Sequence, residues 1–218
     1  MHGIIFGAGF GTRMRPYTEV LPKPAIPFLN IPHWAHSLFF LEQLQCDNIF
    51  INTHYLPERM KESVNTINTS RPIHLVHEPN EILGSSGGLA NILISIKSPS
   101  EHVAVFNGDT IRLFKDPKKL NLAFEKHVQE DALLTFVLMP HPDAGRSLSA
   151  VWIGKNNEFR DVGLTCADHQ LRPYHYPGIF FANKKIAQYI EPKYGSLFTD
   201  VCLPLSKKGL TIKSVVIE

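Results

Sequence analysis

Short apolar runs alternate with stretches of helical spacing through the first 106 residues of this chain, and that alternation constrains its fold more than any other feature. Gly3–Phe6, Asn48–Thr53 (NIFINT), Pro72–Val76 and Val103–Phe106 (VAVF) read as strands. Between them, Pro32–Gln45 (PHWAHSLFFLEQLQ) carries apolar residues at helical spacing, with Pro32 suited to a first turn. Leu56–Val64 reads as a polar-faced helix, and Gly84–Ile96 as a glycine-rich loop running into a helix. This order predicts a mostly parallel sheet covered on both faces. After Asp131 the texture changes. ALLTFVLM predicts a long strand, followed by shorter ones around Val151 and Phe159 and at Gly178–Phe181. Helical pieces near Lys184–Ile190 and Thr199–Lys207 precede a last strand at Thr211–Ile217. No repeat or linker divides the 218 residues, so they predict one α/β domain, 1–218, whose second half is more antiparallel and shapes a second ligand.

Composition excludes some classes. At 44% hydrophobic and 19% charged the chain is ordinary globular material. Lys+Arg number 22 against 20 Asp+Glu, and the basic pairs Lys118-Lys119, Lys184-Lys185 and Lys207-Lys208 form no stripe, which argues against a nucleic-acid partner. Cys46, Cys166 and Cys202 are odd in number and lack C-x-x-C spacing, so neither zinc nor a disulfide framework is expected. No signal-peptide pattern and no apolar run of membrane-spanning length occurs. The expectation is a reduced, cytoplasmic protein without a membrane partner.

In open α/β sheets ligands sit at the carboxyl ends of the strands. Three loops in those places are unusual: Gly7–Arg13 (GAGFGTR), Gly84–Gly88 (GSSGG) and Asn107–Thr110 (NGDT). GAGFGTR is not a dinucleotide fingerprint, because Thr12 stands where the third glycine belongs and NIFINTH ends without a ribose-holding acid. P-loop spacing is also absent. What remains is a loop of small residues that can present backbone N–H groups to anionic oxygens. Arg13 can act as a forked donor, and Lys23, bracketed by Pro22 and Pro24, as a compact charge. The histidine pairs His33/His36 and His74/His77 lack the third ligand of a zinc site.

The run GAGFGTRMRPYTEVLPKP resembles the motif of the sugar-1-phosphate nucleotidyltransferases, G-x-G-T-R followed by P-K-P. The likeness continues through INTHYLPE, LGSSGGL, FNGDT and YPGIFFA, strongly to residue 110 and loosely beyond. It implies a three-layer, Rossmann-like nucleotide-diphospho-sugar transferase fold with a mixed, mostly parallel central sheet. Residues 1–110 would form the nucleotide-binding half and 111–218 the sugar-binding half. The implied reaction is attack of a sugar 1-phosphate oxygen on the α-phosphorus of a nucleoside triphosphate, with pyrophosphate leaving in line, a transfer that needs positioning and neutralised charge.

By resemblance, Arg13 holds the β- and γ-phosphates, Lys23 meets the α-phosphate and sugar phosphate, and Asp109 binds magnesium. Ala8, Gly9, Gly11 and Thr12 line the nucleotide, and Gly87 and Gly88 pass close to base and ribose. Glu78 falls where some relatives read the base, and Asn107 and Gly178 are sugar contacts. The family's E-K-P segment has no counterpart in LTCADHQLRPYHYPG, and its late W-x-D-x-G-T motif has none before Glu218. Asp161 and Asp200 are the acidic residues that could replace the second metal ligand. In its compact length and its LGSSGGL and NGD pattern the chain looks most like the N-acetylmuramate 1-phosphate uridylyltransferases and their hexose-1-phosphate relatives, a resemblance that implies UTP and a cell-wall role. Alternatives are a mannose- or glucose-1-phosphate guanylyl- or thymidylyltransferase, or an inactive regulatory relative. Monomer and homodimer both stay open, since the helix around Trp34–Leu41 could be core or interface.

Overall fold

The computed structural model describes residues 1–97 and 100–218. It opens with β1 (His2–Phe6), where Ile4 and Ile5 point to opposite faces and both are fully buried. A strand sunk on both faces must be apolar throughout, which is why such strands read as continuous hydrophobic runs. A two-residue hairpin, β2 (Pro27–Phe28) and β3 (Ile31–Pro32), leads into α1 (His33–Gln43). Next come β4 (Ile49–Thr53), α2 (Pro57–Asn65), β5 (Ile73–His77), α3 (Gly84–Ser95) and β6 (His102–Asn107). The second half runs α4 (Lys118–Gln129), β7 (Leu134–Met139), β8 (Ala150–Ile153), β9 (Phe159–Gly163), β10 (Arg172–Asn183), α5 (Leu203–Lys207) and β11 (Ile212–Val216).

The main sheet has the order β11-β7-β10-β6-β1-β4-β5. Only β10 runs antiparallel to its neighbours β6 and β7, so the sheet is mixed and mostly parallel. Two apolar layers cover it. On one face, Ile4, Val105, Phe136 and Phe180 pack with Leu89, Ile92 and Leu93 of α3. On the other, Ile5, Phe106, Val137 and Phe181 pack with Trp34, Leu38 and Leu41 of α1, Met60 of α2 and Leu120 and Ala123 of α4. The helix around Trp34–Leu41 is therefore core, although Phe39 stands half out of it. Among the described residues no helix is long and apolar enough to cross a membrane, and all three cysteines are free.

Three elements differ from the sequence expectation. The glycines of GSSGG belong to α3 itself, which starts at Gly84, because a distant segment caps it: Ser86 N donates to Gly195 O (3.1 Å) and Leu197 N to Ser85 Oγ (2.8 Å). Helix α4 is absent from the periodicity reading, although Leu120, Ala123 and His127 form its buried stripe. The strand expected at Gly178–Phe181 extends back to Arg172: β10 first pairs with β8, then shifts register against β7 between His175 and Ile179. That irregularity places Gly178 at φ 79°, where glycine alone is unstrained.

Candidate active site

Gly9, Gly11, Thr12, Arg13, Met14, Lys23 and Asp109 line one cavity of about 420 Å³. Sheet register brings them together. Phe6 at the end of β1 lies opposite Asn107 at the end of β6, so the loops 7–13 and 107–110 leave the sheet side by side. Gly11 sits at φ 61°, and a Cβ there would lie 2.8 Å from Thr18 Cγ2 and 2.9 Å from Lys23 Cβ. Thr18 Oγ1 donates to Gly11 O at 3.0 Å. The Pro-Lys-Pro segment thus folds back onto the glycine loop, and this accounts for the spacing between the two halves of the motif. Gly9 is different: nothing lies within 4 Å of where its Cβ would be, so no protein contact explains its missing side chain.

Lys23 Nζ donates to Asp109 Oδ2 at 2.6 Å, and Thr110 Oγ1 donates to Asp109 Oδ1 at 3.2 Å. Burial pushes the Asp109 carboxyl up, but the Lys23 hydrogen bond and charge, with Thr110 and the Arg112 charge, more than offset it and hold the group below the usual carboxylate range. Arg13 is exposed and, among the described residues, forms no ion pair. One cation is therefore spoken for by the carboxylate, and another is free for a ligand.

A single ionised, partly exposed carboxylate suits magnesium, which keeps several waters and is held by one or two carboxylates together with substrate phosphates. Asp109 is the carboxylate that lines this cavity. The two acidic alternatives lie elsewhere: Asp161 accepts from Val162 N and Cys166 Sγ on β9, and Asp200 from Ser196 N and Thr199 Oγ1. Among the described residues no three His, Cys, Asp or Glu side chains form a metal cluster.

Ala8, Gly87 and Gly88 lie outside the cavity lining. A Cβ on Gly87 would run into the Lys193 carbonyl, and one on Gly88 would come 2.9 Å from Asn52 Nδ2. These glycines are required by packing within the chain. Next to them is a buried polar chain: Asn52 Oδ1 accepts from Gly7 N (2.8 Å), Asn52 Nδ2 donates to Glu78 Oε1 (2.7 Å), and Glu78 Oε2 accepts from Leu83 N (2.9 Å). It ties the glycine loop to α3. Asn52 is absent from the sequence reading; an asparagine inside the otherwise apolar NIFINT is the signal that could have found it.

Asn107 and Gly178 are brought together: a Cβ on Gly178 would lie 2.7 Å from Asn107 Nδ2 and 2.8 Å from an Arg112 terminal nitrogen. Arg112, which the sequence reading also omits, is buried there with five hydrogen bonds. Burial lowers its pKa to about 10, so it is still a cation at neutral pH.

The nucleotidyl transferase family profile matches residues 2–146, two thirds of the chain including both loops of the cavity. The chain belongs to the nucleotidyl transferase family. Relatives of this family member include the D-glycero-alpha-D-manno-heptose 1-phosphate guanylyltransferase of Aneurinibacillus thermoaerophilus, 31% identical over 85% of this chain and 76% of that protein. The mannose-1-phosphate guanyltransferase of Schizosaccharomyces pombe is 35% identical over 92% of this chain, which spans about half (54%) of that protein's length. Among solved structures, HddC from Yersinia pseudotuberculosis complexed with GMP-PN superposes with a TM-score of 0.77 at 22% identity, covering 99% of this chain and 90% of that one. The inositol-1-phosphate CTP transferase of T. maritima gives 0.78 at 18% identity, covering 99% and 84%. At these identities the structures establish the three-layer fold.

Proposed function

We propose that this nucleotidyl transferase is a sugar-1-phosphate guanylyltransferase, joining a nucleoside triphosphate to a sugar 1-phosphate with release of pyrophosphate. The observation that carries the transfer is the convergence of Arg13, Lys23 and Asp109 on a cavity also lined by Gly9, Gly11 and Thr12. Arg13, without an ion pair among the described residues, holds the β- and γ-phosphates and stabilises the leaving pyrophosphate. Lys23 moves from Asp109 to the α-phosphate and the incoming sugar phosphate, and keeps two anions close enough for in-line attack. Asp109 would hold magnesium, which would supply charge neutralisation there. Asn107 of β6 and Gly178 of β10, which lie next to each other, are assigned here to contact with the sugar.

Guanine is preferred because the curated relatives named above are guanylyltransferases of mannose-like 1-phosphates. The lean towards UTP and muramate has no such support, and is kept as an arm of the test. Purified protein with magnesium, a panel of sugar 1-phosphates and GTP, UTP, CTP or dTTP is assayed for pyrophosphate release. GTP with a mannose- or heptose-type 1-phosphate is expected to turn over fastest. Preference for UTP would replace the guanine assignment, and silence with every pair would leave a nucleotide-binding regulatory role. Binding alone is read from melting temperature: GTP and magnesium at 100 times Kd should stabilise the fold by about 2.7 kcal/mol.

A further inference from the structure

The Arg112 guanidinium has five N–H groups, and all five are used. Nε donates to Pro177 O (2.7 Å), one terminal nitrogen to Ser37 Oγ (3.1 Å) and Thr110 O (2.9 Å), and the other to Asn107 O (3.1 Å) and Gly178 O (3.0 Å). These acceptors come from three separate parts of the fold: the loop that carries Asp109, the irregularity in β10, and α1. The cation also lies over the Phe106 ring, 5.5 Å from its centre. Among the described residues no carboxylate pairs with it. A buried cation held by carbonyl oxygens instead of an acid costs desolvation, so a stability role alone is a poor account of it.

Its bonds point to another role. Asn107 O and Thr110 O lie on either side of Asp109, and Pro177 O and Gly178 O belong to β10, the strand assigned above to sugar contact. One planar group therefore sets where the carboxylate stands relative to β10. Ser37 Oγ closes the arrangement by donating to Asn107 O at 3.2 Å. A lysine could keep the charge but offers only three donors and no fixed plane.

We propose that Arg112 is a positioning residue, locking the metal-holding Asp109 loop in register with the sugar-facing turn of β10. This rests on the reading of Asp109 as the metal carboxylate. Groups that orient metal ligands from behind change metal affinity or activity by roughly 10–100-fold when removed, while nucleotide contacts made by the glycine loop are left in place.

The test compares wild type, Arg112→Lys and Ser37→Ala. Folding is checked by melting temperature, Mn²⁺ affinity in the presence of the nucleotide that wild type binds by electron paramagnetic resonance, nucleotide affinity without metal by calorimetry, and kcat against magnesium concentration. Arg112→Lys is expected to weaken Mn²⁺ binding and lower kcat by roughly 10–100-fold, with metal-free nucleotide affinity within about twofold of wild type. Ser37→Ala deletes one of the five acceptors and keeps the charge; a few-fold weakening of Mn²⁺ is expected, and it carries the test if the lysine variant does not fold. Folded variants with wild-type Mn²⁺ affinity and kcat overturn the positioning role alone. Wild-type protein that binds no Mn²⁺ with nucleotide removes the metal reading and this inference together.

Discussion

At the scale of single residues, two glycines of GAGFGTR are there for opposite reasons. Gly11 is fixed by the protein, in a left-handed conformation against Thr18 and Lys23, whereas the space beside Gly9 is open. Gly9→Ala should therefore leave melting temperature unchanged or slightly raised, since it removes unfolded-state freedom of about 0.4–1 kcal/mol. On the proposed function it should weaken nucleotide binding, because the new methyl enters open space in the cavity assigned to the phosphates. A calorimetric titration that shows undiminished affinity would reassign that space. Asp109→Ala should reduce turnover on the order of 10²–10³-fold. Its ion pair with Lys23 is partly exposed (26% and 34% for the two side chains), so solvent screening limits the stability change to about 1 kcal/mol or less. Pyrophosphate release and thermal melting, measured on one preparation, separate the two effects.

At the scale of elements, α3 shows a glycine-rich motif that has a partner inside the protein. LGSSGGL has the composition of a ligand loop, yet Gly87 is needed because the Lys193 carbonyl occupies the place of a side chain. The segment 193–197 also holds the start of the helix: Gly195 O accepts from Ser86 N, and Leu197 N donates to Ser85 Oγ. Gly87→Ala should destabilise by about 1–3 kcal/mol, the usual cost of overpacking, visible as a lower urea midpoint. Intact stability would mean that 193–197 does not hold the helix. Helix α4 was legible in principle, since Leu120, Ala123 and His127 recur at helical spacing. The long β10 was not: it changes partner strand half-way, and its register shift follows from pairing with β7 and β8, which no local pattern encodes.

At the scale of the whole molecule, α4 is locked to the sheet by a buried histidine. His127 Nδ1 lies 2.8 Å from Thr135 Oγ1 on β7, and Nε2 lies 3.2 Å from His102 Nδ1 on β6. Burial and the neighbouring His102 lower its pKa to about 4 from 6.5, against a weak opposing pull from Asp131. Because the folded pKa is depressed, stability is fully present above about pH 6.5 and is lost as pH falls from there towards about 4, where the loss levels off near 3 kcal/mol. Burial lowers the His102 pKa as well, in the same sense. Urea melts should show about 2 kcal/mol of that loss between pH 7 and pH 5, and His127→Gln should flatten the slope; an equal slope in the variant would place the acid sensitivity elsewhere. The same contrast separates what each level of description decides. Apolar runs, glycine spacing and the isolated charges are local properties, so the parallel strands, the glycine loop and the meeting of Arg13, Lys23 and Asp109 at the strand ends could be read from the chain alone. Asn52, Arg112 and the 193–197 cap work by bonding to residues 45, 65 and 112 positions away, respectively. Only the folded sheet brings those partners within hydrogen-bond distance, and only there does a buried polar side chain acquire the acceptors that give it a role.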